Sequence, residues 1–230
     1  MVNYLIFKFL WGVPMDISFL PNDSMRKFHE DENINRLVYL CVTYGNTDIF
    51  EDILSLLTVS SKEKLAILLN EFESKHLNDG LYDVFLEYKD IIITLYNAPQ
   101  FKNLKGAFLE VLSLNIFMDF YDFENISTDC KVEIGSWISK KTVDIAMKCD
   151  DSGLVCECKV PSSKFSWEIF KNLLNIKFYS KNYFSLFAIT LVTRIRMKNK
   201  INKIIRTVDE CESLDEIHII AREDLINLYA

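Results

Sequence analysis

Three charged side chains stand at a spacing that could carry out hydrolytic chemistry: Asp144, then Glu157 and Lys159 two residues apart. Asp144 lies in Val143-Asp144-Ile145-Ala146-Met147-Lys148, and the other two lie in Leu154-Val155-Cys156-Glu157-Cys158-Lys159-Val160. Both stretches alternate as strands do. Val143, Ile145 and Met147 point one way, and Asp144, Ala146 and Lys148 the other. Val155, Glu157 and Lys159 share a face opposite that of Cys156, Cys158 and Val160. The connection Cys149-Asp150-Asp151-Ser152-Gly153 is rich in turn formers. A hairpin centred between Asp151 and Ser152 sets Asp144 opposite Lys159 and Ala146 opposite Glu157, so the charges meet on one sheet face within about 5–8 Å. A one-residue slip would disperse them. Paired carboxylates are hard ligands suited to Mg2+ or Mn2+. A lysine beside them can orient a water or stabilise charge on a phosphoryl group. A surface Asp–Lys–Glu ion cluster uses the same residues, but the apolar neighbours on both sides argue against a fully solvated strand.

Other elements must position this hairpin. Residues 104–119 suit a helix with a core stripe of Leu104, Ala107, Phe108, Val111 and Leu112. Glu110 falls between Leu114 and Phe117 on that helix, at the edge of the apolar arc. A carboxylate there is partly desolvated and needs a cation or a donor. A rim glutamate paired with Lys102 or Lys105 is the competing reading. Residues 129–138 read as a strand with Val132, Ile134 and Trp137. After the hairpin, residues 167–181 read as a helix with Phe170, Leu173, Leu174 and Phe178 apolar. Residues 183–192 are apolar enough for a strand covered on both faces. A basic helix or loop at 197–207, a short strand at 217–220 and a closing helix at 223–229 complete the chain.

Val143-Asp144, twelve intervening residues and Glu157-Cys158-Lys159 resemble the PD-(D/E)XK nuclease superfamily, with Val143 where a proline often precedes the Asp. The flanking elements follow the same order. The resemblance implies an α/β fold: a restriction-endonuclease-like αβββαβ core with a mixed central sheet over residues 99–230. It implies a Mg2+-dependent (or Mn2+-dependent) nuclease that hydrolyses phosphodiester bonds, with DNA placed ahead of RNA. The implied metal ligands are Asp144, Glu157 and the backbone carbonyl of Cys158. Lys159 would act on the attacking water or the transition state. Gly106 to Glu110 matches a Gly-x-x-x-Glu pattern of the family, which would give Glu110 a second metal or an outer-shell water. Asn175 to Tyr179 is similar to the Gln-x-x-x-Tyr motif of the exonuclease-like branch, with Asn in place of Gln; a packing role for Tyr179 competes. A non-catalytic nucleic-acid-binding or regulatory scaffold on the same fold is the alternative.

The net charge of −7 would by itself disfavour nucleic acid, but it is unevenly spread. Residues 159–206 carry 11 basic groups against 1 acidic, while residues 1–100 carry 8 against 15 and residues 207–230 carry 1 against 7. The basic block directly follows the Glu157 strand, where a phosphate-binding surface is wanted. Lys164, Lys171, Lys177, Arg194 and Arg196 are its candidate backbone contacts. Residues 1–98 read as an all-helical N-terminal domain, an interaction or nucleic-acid-binding module. Its stripes lie within 24–44, around Ile49–Leu57, from a Ser60-x-x-Glu63 capping box to His76, and from Leu81 to Leu95. Its acidity suits a homodimer or a protein partner. Asn97-Ala98-Pro99-Gln100 marks the boundary. The apolar start at 4–11 reads as core. With no run of eighteen apolar residues there is no spanning helix and no membrane partner. Six scattered cysteines without metal spacing read as reduced thiols of a cytoplasmic protein.

Overall fold

The computed structural model describes residues 16–22, 24–120, 122–207 and 211–229. The apolar start at 4–11 lies outside them. The N-terminal stripes fold as α1 (Arg26–His29), α2 (Glu32–Thr43), α3 (Asp48–Thr58), α4 (Lys62–His76) and α5 (Tyr82–Asn97). The Asp31 side chain accepts the N–H groups of Asn33 and Ile34, capping α2 and breaking the expected 24–44 helix into two. Ser61 caps α4 through the Lys64 N–H, one residue beyond the expected Ser60.

The first hundred residues are not all helical. Ile17–Pro21 form strand β1, which pairs antiparallel with β2 (Asn125–Ile134), Ile17 against Ile134 and Phe19 against Val132. The segment is too short to show a period, and the prolines beside it read as irregular chain. Its pairing comes from a partner more than a hundred residues away.

After α6 (Phe101–Phe120) come β2, β3 (Trp137–Ile138), β4 (Val143–Lys148), β5 (Gly153–Cys158), α7 (Trp167–Tyr179), β6 (Phe184–Ile189), α8 (Arg194–Ile205), β7 (Ile217–Ile220) and α9 (Arg222–Tyr229). The seven described strands form one mixed sheet ordered β1-β2-β4-β5-β6-β7, with β3 also on β2. The pairs up to β4–β5 are antiparallel, and β5–β6 and β6–β7 are parallel. The class is therefore α/β, with helices preceding a mixed sheet.

The sheet is the middle of three layers. Ile145, Met147, Leu154 and Cys156 of one face join a core with α2 to α6. Ala146, Val155, Leu186 and Ala188 of the other face pack on Phe170, Leu173 and Ile176 of α7 and on Met197 and Ile204 of α8. Each fully buried Val, Leu, Ile, Phe or Met side chain among these contributes about 1.5–3 kcal/mol. Helix α6 packs on α2 on one side and on β4 and β5 on the other. The turn at 97–100 is thus a boundary in the chain across which a single apolar core continues.

Candidate active site

The register of the β4–β5 hairpin decides which charges meet. Ile145 pairs with Cys156, Met147 with Leu154 and Lys148 with Gly153. The Cys149 N–H donates to the Ser152 carbonyl at 2.9 Å, so the turn centres between Asp150 and Asp151. This is two residues away from the expected register. The cause is Gly153: a Cβ there would lie 2.6 Å from the Phe184 ring and 2.7 Å from the Met147 carbonyl. Only glycine fits opposite Lys148 beneath that ring. An even shift preserves the faces, so the cluster survives, and continuing this register sets Asp144 opposite Glu157.

Lys159, one residue beyond β5, bridges the two carboxylates. Its Nζ lies 2.5 Å from Asp144 Oδ2 and 2.7 Å from Glu157 Oε2. Asp144 Oδ2 also accepts the Cys158 N–H at 2.6 Å. The Lys159 N–H donates to the Ile189 carbonyl at 2.9 Å, holding the lysine against β6. Glu157 is 3% exposed. Burial, and then the charge of Asp144, push its carboxyl up to about 8, against the pull of Lys159. Burial works against the Lys159 ammonium, but Asp144 and Glu157 overcome it and raise its pKa well above the usual value.

Glu110 is buried on α6, near enough for Asp144 and Lys159 to act on it. Burial raises its pKa, a hydrogen bond with His29 works against that rise, and the charge of Asp144 adds to it. His29 Nε2 lies 2.6 Å from Glu110 Oε2. A Cβ on Gly106 would stand 3.7 Å from Glu110 Oε1, in ordinary contact, so alanine would fit there. Among the described residues no group of three or more His, Cys, Asp or Glu side chains is arranged to hold a metal ion by itself.

His29, Asp129 and Asn172 did not stand out in the sequence. Asp129 adopts a positive φ of 44°. Its Oδ2 accepts from Asn22 Nδ2 at 3.0 Å, from the Ser24 N–H at 3.1 Å and from Ser24 Oγ. Burial opposes its charge, but the donors Ser24, Asn22 and Thr142 hold its carboxyl below the usual range. The carboxylate pins the chain leading into α1 beside the sheet, and α1 carries His29 to Glu110. No local signal marks His29, since α1 is one turn long.

Between β3 and β4, Lys140, Lys141 and Thr142 stand against Lys131 alone: Ser139 still bonds Val132, whereas Val143 already pairs with Cys130. Such a bulge re-aims the strand that follows, here two residues before Asp144. Asn172, 4% exposed on α7, clamps it. Its Oδ1 accepts the Lys141 N–H at 3.2 Å, and its Nδ2 donates to the Lys141 carbonyl at 3.3 Å. The Asn-x-x-x-Tyr spacing pointed to Asn175, one turn further on; the asparagine that reaches the strand is Asn172. Asn172→Leu should leave the Lys141 N–H unpaired and its carbonyl held by Ser139 Oγ alone, and misplace Asp144, lowering turnover about 10–100-fold at unchanged nucleic-acid affinity, since second-layer supports have that size of effect. Turnover and binding measured separately check this; an equal loss in both would make Asn172 a general structural residue.

Tyr179 stacks on Trp137, with ring centroids 4.4 Å apart. Of the basic candidates, Lys164, Lys171 and Arg196 are exposed, and Lys171 lies 6.0 Å from the Trp167 ring centre. Lys177 pairs with Glu216 at 3.0 Å and Arg194 pairs with Asp224. The acidic C-terminal segment thus balances part of the basic block. The five described cysteines are free thiols. Burial raises the pKa of Cys156 and of Cys158, so neither is a ready nucleophile.

No protein-family model and no curated protein matches this chain. Solved structures do. Protein VC1899 from Vibrio cholerae is 14% identical, with a TM-score of 0.48 over 93% of this chain and 57% of its own. Can2 from Sulfobacillus thermosulfidooxidans, in complex with cyclic tetra-adenylate, is 12% identical, with a TM-score of 0.40 over 86% of this chain and 52% of its own. This chain therefore spans about half the length of these two structures, and likenesses this distant assign it no activity.

Proposed function

We propose that the chain is a metal-dependent nuclease of the PD-(D/E)XK type that hydrolyses phosphodiester bonds, with DNA placed ahead of RNA. The observation that carries this reading is the ammonium of Lys159 set between Asp144 and Glu157, at 2.5 and 2.7 Å, on two adjoining strands. The donor set suits Mg2+ or Mn2+: hard carboxylate oxygens, two of them on one lysine. Asp144 and Glu157 would hold the cation, with the Cys158 carbonyl and Glu110 as further oxygens. When bound, it would polarise the scissile phosphoryl group and acidify a water. Burial favours the protonated form of Glu157, and a cation held here would favour the ionised form. Lys159 stays protonated through the neutral range and stabilises charge developing on the phosphate. His29 holds Glu110 toward this cluster.

Labelled DNA and RNA strands incubated with Mg2+, Mn2+ or EDTA test the reading. Cleavage that requires the cation supports it; no cleavage with either cation refutes it. The rival, a non-catalytic nucleic-acid-binding scaffold, draws on the lack among the described residues of a three-ligand metal group. It expects binding without cutting.

Nucleic-acid affinity should fall with salt, each displaced counterion adding to the slope. Arg196 and Lys198 are exposed on α8, and Arg196→Gln with Lys198→Gln should flatten the slope by about two units. Arg194→Gln should change it less, because Asp224 already balances that charge. Titrations at several salt concentrations give these slopes; an unaltered slope in the double variant removes α8 from the interface.

A further inference from the structure

We infer that the aromatic cluster Trp137, Tyr179 and Phe178 is a stacking platform for unpaired bases, feeding a single-stranded nucleic acid to the site that contains Asp144. The inference names the substrate class of the proposed nuclease and rests on that reading. Phe178 is 76% exposed and Tyr179 44%, neighbours on one helix. Scattered exposed apolar residues need no explanation, but contiguous ones do. The Phe178 ring stands edge-on to Tyr179 at 5.3 Å, and Tyr179 stacks on Trp137 with the ring planes 17° from parallel. Ile138, beside Trp137, is 44% exposed.

The rings are held by ordered backbone. Tyr179 ends α7, and the turn after it returns the Lys181 N–H to the Phe178 carbonyl at 3.1 Å and the Asn182 N–H to the Lys177 carbonyl at 2.9 Å. The surroundings complement phosphate. Residues 137–142 and 171–182 contain five lysines and no acidic residue; Glu216 balances one of them, Lys177. Lys140, Lys141 and Lys181 are exposed. Two of these, Lys140 and Lys141, sit in the bulge that leads within three residues to Asp144, and Asn172 ties that bulge to the helix bearing the rings. Aromatic faces beside a basic track are how single strands are held without sequence readout. A duplex can use the basic track but not the rings, because its base faces are already covered.

The test is fluorescence anisotropy in EDTA, so that nothing is cut, with a labelled mixed-sequence DNA strand and its blunt duplex at one salt concentration. Phe178→Ala and Tyr179→Ala should each weaken single-strand binding by roughly 5- to 150-fold and leave duplex binding within about twofold. Phe178→Tyr should retain affinity, and Phe178→Leu, which keeps the apolar bulk without the ring face, should not. Equal losses on strand and duplex, full rescue by leucine, or a wild type that ignores the single strand would each overturn the platform. So would an oligomeric state that changes in Phe178→Ala while strand binding does not, since the patch would then be a protein contact. A wild type that binds single strands as expected yet never cuts them with Mg2+ or Mn2+ refutes the nuclease reading and leaves the platform standing.

Discussion

Asp144→Ala, Glu157→Gln and Lys159→Met should each reduce metal-dependent phosphodiester cleavage by on the order of 10³-fold, the upper end of what losing one preorganised electrostatic group costs. The three changes act differently. Asp144→Ala removes a proposed cation ligand together with the acceptor of the Cys158 N–H and the Lys159 ammonium. Glu157→Gln keeps the shape of the side chain and cancels its charge. Lys159→Met keeps the stem and leaves Asp144 and Glu157 facing each other without a counter-charge. Because the residues serve one event, a double variant should be scarcely worse than either single one. Cleavage rates beside thermal melts give the answer. A folded Glu157→Gln protein with near wild-type, cation-dependent turnover would end the assignment of this site.

The second large effect is on stability. Without metal, the stability of the wild type should fall as pH rises from about 4.5 to about 8. The sign follows from Glu157, whose folded pKa is raised from 4.5 to about 8. Between those values the folded state binds more protons than the unfolded chain, so unfolding free energy declines with pH. The stabilisation is complete below the unfolded pKa and is lost as pH passes through the folded one. At 1.36 kcal/mol per unit the loss amounts to a few kcal/mol. Glu110, also raised, slopes the same way, while His218, lowered by burial and then by Lys177, slopes the other. The telling quantity is therefore the difference between wild type and Glu157→Gln, which lacks this titration and should keep a flatter profile. Millimolar Mg2+ or Mn2+ should restore the wild type most at the high end of the window, by binding the folded state alone. Denaturant melts at several pH values, each with cation and with EDTA, measure this. Parallel profiles for the two proteins would show that Glu157 carries no such strain.

Much of the site was legible because the information is local. Alternation over Val143–Lys148 and Leu154–Val160 depends on side-chain period alone, and it put Asp144, Glu157 and Lys159 on one face. The stripe through Leu104, Ala107 and Phe108 likewise located Glu110 at a desolvated edge, and the apolar run at 183–192 identified a strand covered on both sides. From these the α/β class and the order of elements followed. Tertiary contacts decided the rest. The hairpin register depends on Phe184 lying over Gly153, which no local rule anticipates. Strand β1 exists because β2 offers it an edge. Asp129, locked by Asn22 and Ser24 from over a hundred residues away, steers α1 so that His29 meets Glu110. The charges of Lys177 and Arg194 are balanced because an acidic tail folds back onto them. Periodicity reports which side of an element a residue occupies; which distant side chain it faces there is set by how the layers pack, and that was the tertiary structure's to decide.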